Sequence, residues 1–160
     1  MSLRPAKPAD FGFIRRLTTD PANAPYIGDD SEAKLAAYLD DPAARVLIWG
    51  DASGFAIFRE IGNASGGVEL FRLALAGTDA GGGAAFVAAL LDFAFNDLDA
   101  ARVWLDASSE NLRAQNVYER ADFVLEGRLR RHWYRPCLGR TVDLMLYGLL
   151  RDEWSALHSS

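Results

Sequence analysis

The 160-residue chain is 50% hydrophobic and 24% charged, an ordinary composition for a globular protein and enough length to bury one core. Its net charge of −5 argues against nucleic acid as an obligate partner and mildly favours cationic ligands, while the single Cys137 excludes an intrachain disulfide and a cysteine-rich zinc site. No leader, membrane-length apolar run or lipidation motif stands out, so a cytoplasmic protein with no membrane partner and a single domain over residues 1–160 is expected.

In chain order, SLRPA reads as a short strand and PADFGFIRRLTT as a first helix, with Asp10 a candidate cap and Phe11, Ile14 and Leu17 its apolar stripe. Residues 20–30, DPANAPYIGDD, are too rich in proline and glycine for a regular element. SEAKLAAYLDD reads as a second helix ended ahead of Pro42. ARVLIWGD, GFAIFREI and VELFRLAL read as three strands of an antiparallel meander. Next come the turn TDAGGGAA and a helix in which Phe86, Leu90 and Phe93 recur at helical spacing. ARVWLDA is a further strand, and SSENLRAQNVYERAD a helix capped at Ser109 or Asn111. FVLEGRLRRHWYRP and RTVDLMLYGLL are the last two strands, and RDEW follows them. Strand, helix and strand across 68–106 imply a parallel pair joined by a right-handed crossover. The fold class expected is mixed α/β, a mostly antiparallel mixed sheet of about six to seven strands with helices on both faces.

Two stretches carry chemistry. Gly81, Gly82 and Gly83 lie where a strand turns into a helix, and the first N–H groups of a helix have no intrahelical partner. That junction suits a diphosphate, although glycines there can equally serve a tight turn. A dinucleotide-binding unit is the rival, with Asp106 roughly where a ribose carboxylate would lie. Its G-x-G-x-x-G spacing fails, because Phe86 occupies the third glycine position, and a meander precedes the loop. The second stretch is ENLRAQNVYERADF, in which Asn111 and Tyr118 are two helical turns apart and share one side. A phenol there can donate a proton to a departing thiolate, or simply be a core tyrosine.

Together these segments, in their order, resemble the GNAT family of acetyl-CoA-dependent N-acetyltransferases over nearly the whole chain. The run Ala80-Gly81-Gly82-Gly83-Ala84-Ala85 is similar to the family's pyrophosphate loop, with Ala80 in place of the usual Arg or Gln. The helix from Asn111 to Phe123 resembles the family's Asn…Ala…Tyr-Glu-x-x-Gly-Phe pattern, with Asp122 at the glycine position. Asp tolerates the left-handed conformation needed there better than most residues. Glu126-Gly127-Arg128-Leu129-Arg130 and the ending from Asp143 to Trp154 look like the branch that acetylates ribosomal-protein N-termini (RimJ/RimL-like).

The resemblance implies that backbone groups of Leu73, Ala74 and Leu75 bond the pantetheine amides of acetyl-CoA while Ala80 to Ala85 hold its diphosphate, with Asn111 and Arg113 as further cofactor contacts. It implies Tyr118 as the acid that protonates the leaving thiolate, and Glu69 as the base for the amine unless it pairs with Arg59 or Arg72. Tyr26, Asp29 and Asp30 fall in the loop where the family varies its acceptor side, and their carboxylates suit a cationic amine. The acceptor is then a protein N-terminal amine or a small cationic amine, with a polyamine or antibiotic acetyltransferase as the alternative. A non-catalytic acyl-CoA-binding or interaction module is the alternative of another class, left open by Ala80 and Asp122. No metal is expected, since His132 and His158 lack ligand company, and the basic run 128–135 reads as a solvated face. The apolar last strand makes a homodimer plausible.

Overall fold

The computed structural model describes residues 1–77 and 82–158. The strands are β1 (Leu3–Pro5), β2 (Arg45–Trp49), β3 (Gly54–Arg59), β4 (Gly67–Leu75), β5 (Arg102–Ser108), β6 (Val124–Arg135) and β7 (Arg140–Leu150). The helices are α1 (Phe11–Thr19), α2 (Glu32–Asp40), α3 (Gly82–Asp92), α4 (Leu112–Arg120) and α5 (Arg151–His158). Among the described residues all seven strands form one sheet in the order β1-β2-β3-β4-β5-β7-β6, and only the β4–β5 pair is parallel. The expected meander, crossover and final hairpin are all present. The segment after β7 continues as a helix, α5, whose Trp154 stacks on Phe95 at 5.0 Å.

Period-two alternation divides the sheet's side chains between two cores. On one face Leu47, Ala56, Phe58, Val68, Leu70, Val103 and Leu105 pack against Phe86, Val87, Leu90 and Leu91 of α3. On the other, Val46, Ile48, Phe55 and Ile57 pack against Phe11, Ile14 and Leu17 of α1 and Leu35 of α2. The apolar stripe expected for α1 is buried. Asp10, the expected cap, makes no capping bond; its carboxylate takes bonds from Arg4 and from the Lys7 N–H. Ser31 caps α2 by accepting from the Lys34 N–H at 3.1 Å.

Three irregularities interrupt the regular pairing of the sheet, the slightest being the extra residue Glu126 between Leu125 and Gly127 of β6. In β4, Ile57 pairs with Arg72 but Phe58 pairs with Leu70, so Phe71 is an extra residue and the strand bulges there. The parallel pairing of β4 with β5 covers only residues 67–69 and ends just before that bulge. A bulge bends its strand, and beyond it β4 parts from β5 and leaves a fork in the sheet. In β6, Leu129 pairs with Leu144 and Trp133 with Val142, so three residues oppose the single Asp143. Asp143 holds this wider bulge by accepting from Arg128 Nε and the Arg131 N–H, both at 2.7 Å. β7 is interior to the sheet, and Val142, Leu144, Tyr147 and Leu149 are buried. Its apolar sequence is therefore explained by the core, not by a dimer interface. Among the described residues no helix is long and apolar enough to cross a membrane.

Candidate active site

The fork opens into a cleft of about 1210 Å³. One lip is β4 from Phe71 to Leu75 and the other is the end of β5 with the start of α4. Leu73, Ala74 and Leu75 line it. They pair with Ala56, Phe55 and Gly54 of β3, so the backbone groups that point toward β5 have no strand partner. An unpaired edge inside a cleft invites an extended amide-bearing ligand to act as the missing strand. Further along, Gly83 and Ala84 at the start of α3 line the same cleft, whereas Gly82 begins the helix and Ala85 is exposed outside the lining. Ala80 and Gly81 lie outside the described residues. A Cβ added at Gly83 would come within 3.3 Å of the Val117 side chain, so this glycine lets α3 and α4 approach closely. Unpaired β4 edge, helix start and close-packed glycine together fit a long ligand ending in a diphosphate.

Asn111 caps α4, its side chain accepting from the Ala114 N–H at 3.2 Å. It also lines the cleft, as does Arg113. The cap fixes the start of the helix that carries Tyr118. The end of that helix is fixed as firmly. Asp122 has φ of 71°, its N–H bonds to Glu119 O, and the Phe123 N–H reaches Tyr118 O, which together make a Schellman ending. Asp122 thus adopts the left-handed conformation expected at the family's glycine position. Tyr118 is held edge-on between Phe123 and Tyr147, at 5.9 and 5.8 Å between ring centroids. The ring is buried but the residue lines the cleft, and its hydroxyl makes no hydrogen bond among the described residues. Burial pushes the phenol pKa well above its ordinary value, and the negative charge of Asp106 pushes it further. Tyr118 is a phenol kept protonated.

Asp106 is the residue whose place the sequence reading missed. Val103, Leu105 and Ala107 of β5 point into the α3 core, so alternation turns Trp104 and Asp106 to the opposite face. Asp106 lies in the cleft just past the point where β4 leaves β5. It is open to the cleft, yet crowded enough that desolvation raises its pKa against the pull of Arg72, Arg59 and His132. The alternation of ARVWLDA was the available signal. The resemblance implied a parting of the strands beside Leu73 to Leu75, but nothing in the sequence showed that Asp106 stands where they separate.

The three expected carboxylates of the site are not brought to the cleft either. Glu69 lies below the fork, buried, and its carboxylate accepts from Arg59 Nε at 2.5 Å. Burial, helped by the charges of Glu60 and Asp106, raises its pKa against the pull of Arg59. Asp29 is bound by Arg15 at 2.8 Å and by the Thr18 hydroxyl at 2.8 Å. Asp30 is buried and paired with Arg72 Nε at 3.0 Å, with Lys34 at 3.9 Å. Both carboxylates hold the 20–30 loop onto α1 and β4 instead of facing a ligand. Tyr26 of that loop does line the cleft, with Asn23 and Ile27. The basic run on β6 does not behave as one solvated face either, because the bulge breaks its alternation: His132 and Trp133 line the cleft and Arg135 is buried. Among the described residues no cluster of His, Cys, Asp and Glu is placed to hold a metal.

Comparison with known proteins agrees with this geometry. A crystal structure of spermidine N-acetyltransferase from Vibrio cholerae in complex with CoA and spermine is 23% identical, with a TM-score of 0.84 over 96% of this chain and 97% of the other. A dodecameric structure of spermidine N-acetyltransferase from Vibrio cholerae in an intermediate state gives 23% and 0.80 over 99% and 98%. At these identities the likeness speaks for the fold. The family model for the acetyltransferase (GNAT) domain matches residues 1–124, more than three quarters of the sequence. A mixed sheet forked at a β4 bulge, with a protonated phenol on one side of the fork and a carboxylate on the other, thus belongs to a chain of the GNAT acetyltransferase family.

Proposed function

We propose that this enzyme transfers an acetyl group from acetyl-CoA to a small cationic amine of the polyamine type, using Tyr118 as acid and Asp106 as the carboxylate that receives the amine. The observation that carries this reading is the placement of those two side chains on opposite faces of the sheet at one fork. The cofactor approaches from the α3–α4 side, where the β4 edge and Gly83 would hold its pantetheine and diphosphate. Bound there, it supplies an activated acetyl thioester. Tyr118 gives its proton to the sulfur that departs. Asp106 attracts an ammonium group, accepts its proton directly or through water, and leaves a neutral nucleophile. A backbone N–H of the open β4 edge near Leu75 would stabilise the oxyanion. Glu69, engaged by Arg59, is the weaker candidate for the base.

A protein N-terminal acceptor is the second reading, favoured by the likeness of the β6–β7 residues to the ribosomal N-terminal branch. Against it, the charged residues that carry the likeness have structural partners: Glu126 binds Arg102 at 2.6 Å and Arg128 binds Asp143. A non-catalytic module is disfavoured because Asp122 is accommodated and Tyr118 is held in a protonated state. A cytoplasmic location and a homodimer belong to the same proposal. For the dimer the surface is β6, the outer strand, with Val124, Leu125 and Tyr134 exposed.

The test is calorimetric titration with acetyl-CoA followed by thiol release with spermidine, spermine and N-terminal peptides. Turnover of the polyamines with peptides inert is expected. Peptide turnover alone would favour the second reading, and acetyl-CoA binding without turnover of any amine would favour the module.

A further inference from the structure

We infer that Arg135 is a positioning residue of the acceptor side: from the end of β6 it holds the 20–30 loop in place as a wall of the cleft. This rests on the amine-acetylating reading for its kinetic consequence, though not for its geometry. Arg135 Nη2 donates to the carbonyl of Ala24 at 2.6 Å and to that of Ile27 at 2.9 Å, more than a hundred residues away in sequence. The residue is only 9% exposed, and its Nε is sealed from water without a partner among the described residues. Among the described residues no carboxylate pairs with it, so the buried cation is balanced by carbonyl dipoles, and those carbonyls belong to the loop. Its guanidinium lies 3.9 Å from the centroid of the Trp133 ring, and Trp133 lines the cleft.

The loop needs such a tie. Its proline-interrupted backbone closes only local turns, from Asp20 to Asn23 and Ala24 and from Asn23 to Tyr26 and Ile27. One end is fastened by Asn23 to Leu17 O at 2.9 Å, the other by Asp29 to Arg15 and Asp30 to Arg72. The stretch between, Ala24 to Ile27, has Arg135 as its polar anchor, together with the buried Ile27 side chain. Tyr26 and Ile27 from that stretch line the cleft, as Trp133 does. Both bonds come from the one Nη2, at the end of a rigid planar guanidinium that also stacks on Trp133, a geometry that the ammonium of lysine reproduces only in part. Losing it releases the acceptor wall and leaves the β4 edge and the α3 start untouched.

The experiment compares wild type, Arg135→Met and Arg135→Lys by three readouts: acetyl-CoA affinity by calorimetry, steady-state kinetics with spermidine, and the rate of chymotryptic cleavage after Tyr26 followed by mass spectrometry. For Arg135→Met we expect a KM for the amine raised about tenfold with kcat changed less, because a displaced binding wall weakens positioning more than chemistry. Acetyl-CoA affinity should be unchanged and cleavage after Tyr26 faster, with Arg135→Lys intermediate in both. If Arg135→Met does not fold, as shown by loss of acetyl-CoA binding, Arg135→Lys decides by the same readouts. Wild-type amine KM together with wild-type cleavage in the folded variant overturns the inference. If no amine is turned over even by wild type, the functional reading has failed and cleavage after Tyr26 decides the tether alone: faster supports it, unchanged rejects it.

Discussion

The two sides of the fork are built differently. The side proposed for the cofactor is made of backbone and close packing: an unpaired β4 edge, a glycine where α3 meets α4, and a tyrosine clamped between two aromatic rings. The side proposed for the acceptor is made of charge and long reach. Asp30 to Arg72, Asp29 to Arg15 and Arg135 to two carbonyls hold a loop with no regular structure of its own. A ligand shared by a family needs a site that side-chain changes do not easily disturb, and backbone supplies that. A variable acceptor needs a wall that can be refashioned by altering a few ion pairs.

The largest test of this contrast is removal of each proton-handling group. Tyr118→Phe should lower kcat by roughly 10²-fold with acetyl-CoA affinity unchanged, since packing is kept and only the acidic proton is lost. An unaltered rate would remove it from the mechanism. Asp106→Asn should lower kcat/KM by a similar factor, roughly 10²-fold, and abolish the limb of the pH profile that rises with pH. The sign comes from its raised pKa: the carboxylate can accept a proton only above that pKa, so activity falls as pH drops through it. Stability runs the other way, because a folded-state pKa above the unfolded one penalises the charged form as pH rises through it. Asp106→Asn should therefore raise the melting temperature at pH 7, a gain that disappears in acid. Glu69→Gln should leave the rising limb in place; a limb lost there and kept in Asp106→Asn would exchange their roles.

Next in size, Asp30→Ala should destabilise the fold by about 3 kcal/mol, because it leaves Arg72 half-sealed without its partner. The cost should appear in denaturant unfolding, and a melting curve like wild type would mean the carboxylate is free for ligand after all. Gly83→Leu should weaken acetyl-CoA binding about tenfold by forcing α3 away from Val117, where a Cβ is already at 3.3 Å. Unchanged affinity would detach the α3 start from the diphosphate. The smallest effect is expected of Asp122→Gly, which relieves a left-handed φ at a helix end and should stabilise by about 0.5 kcal/mol in thermal melts.

Much of the molecule was legible in its residues alone. Hydrophobic periodicity found the α3 stripe and the meander, and the Asn111–Tyr118 helix marked one lip of the cleft where we propose that the cofactor binds, because each of those signals lies within one or two neighbouring elements. Asp122 was legible for the same reason: a helix end is a local matter. The acceptor side was not. Asp29 and Asp30 looked like ligand carboxylates because composition shows charge but not whom it meets, and their arginines, Arg15 and Arg72, come from α1 and β4. Arg135 looked like part of a solvated run because the bulge opposite Asp143, which breaks the alternation, depends on pairing with another strand. Glu69 and Asp106 share one face by simple alternation. Which of them reaches the cleft was decided by where the Phe71 bulge ends the β4–β5 pairing. Sequence determined the local elements, since propensity and periodicity act over a few residues. Only the tertiary structure decided the chemistry of the fork, since a register shift between strands is a property of their contact.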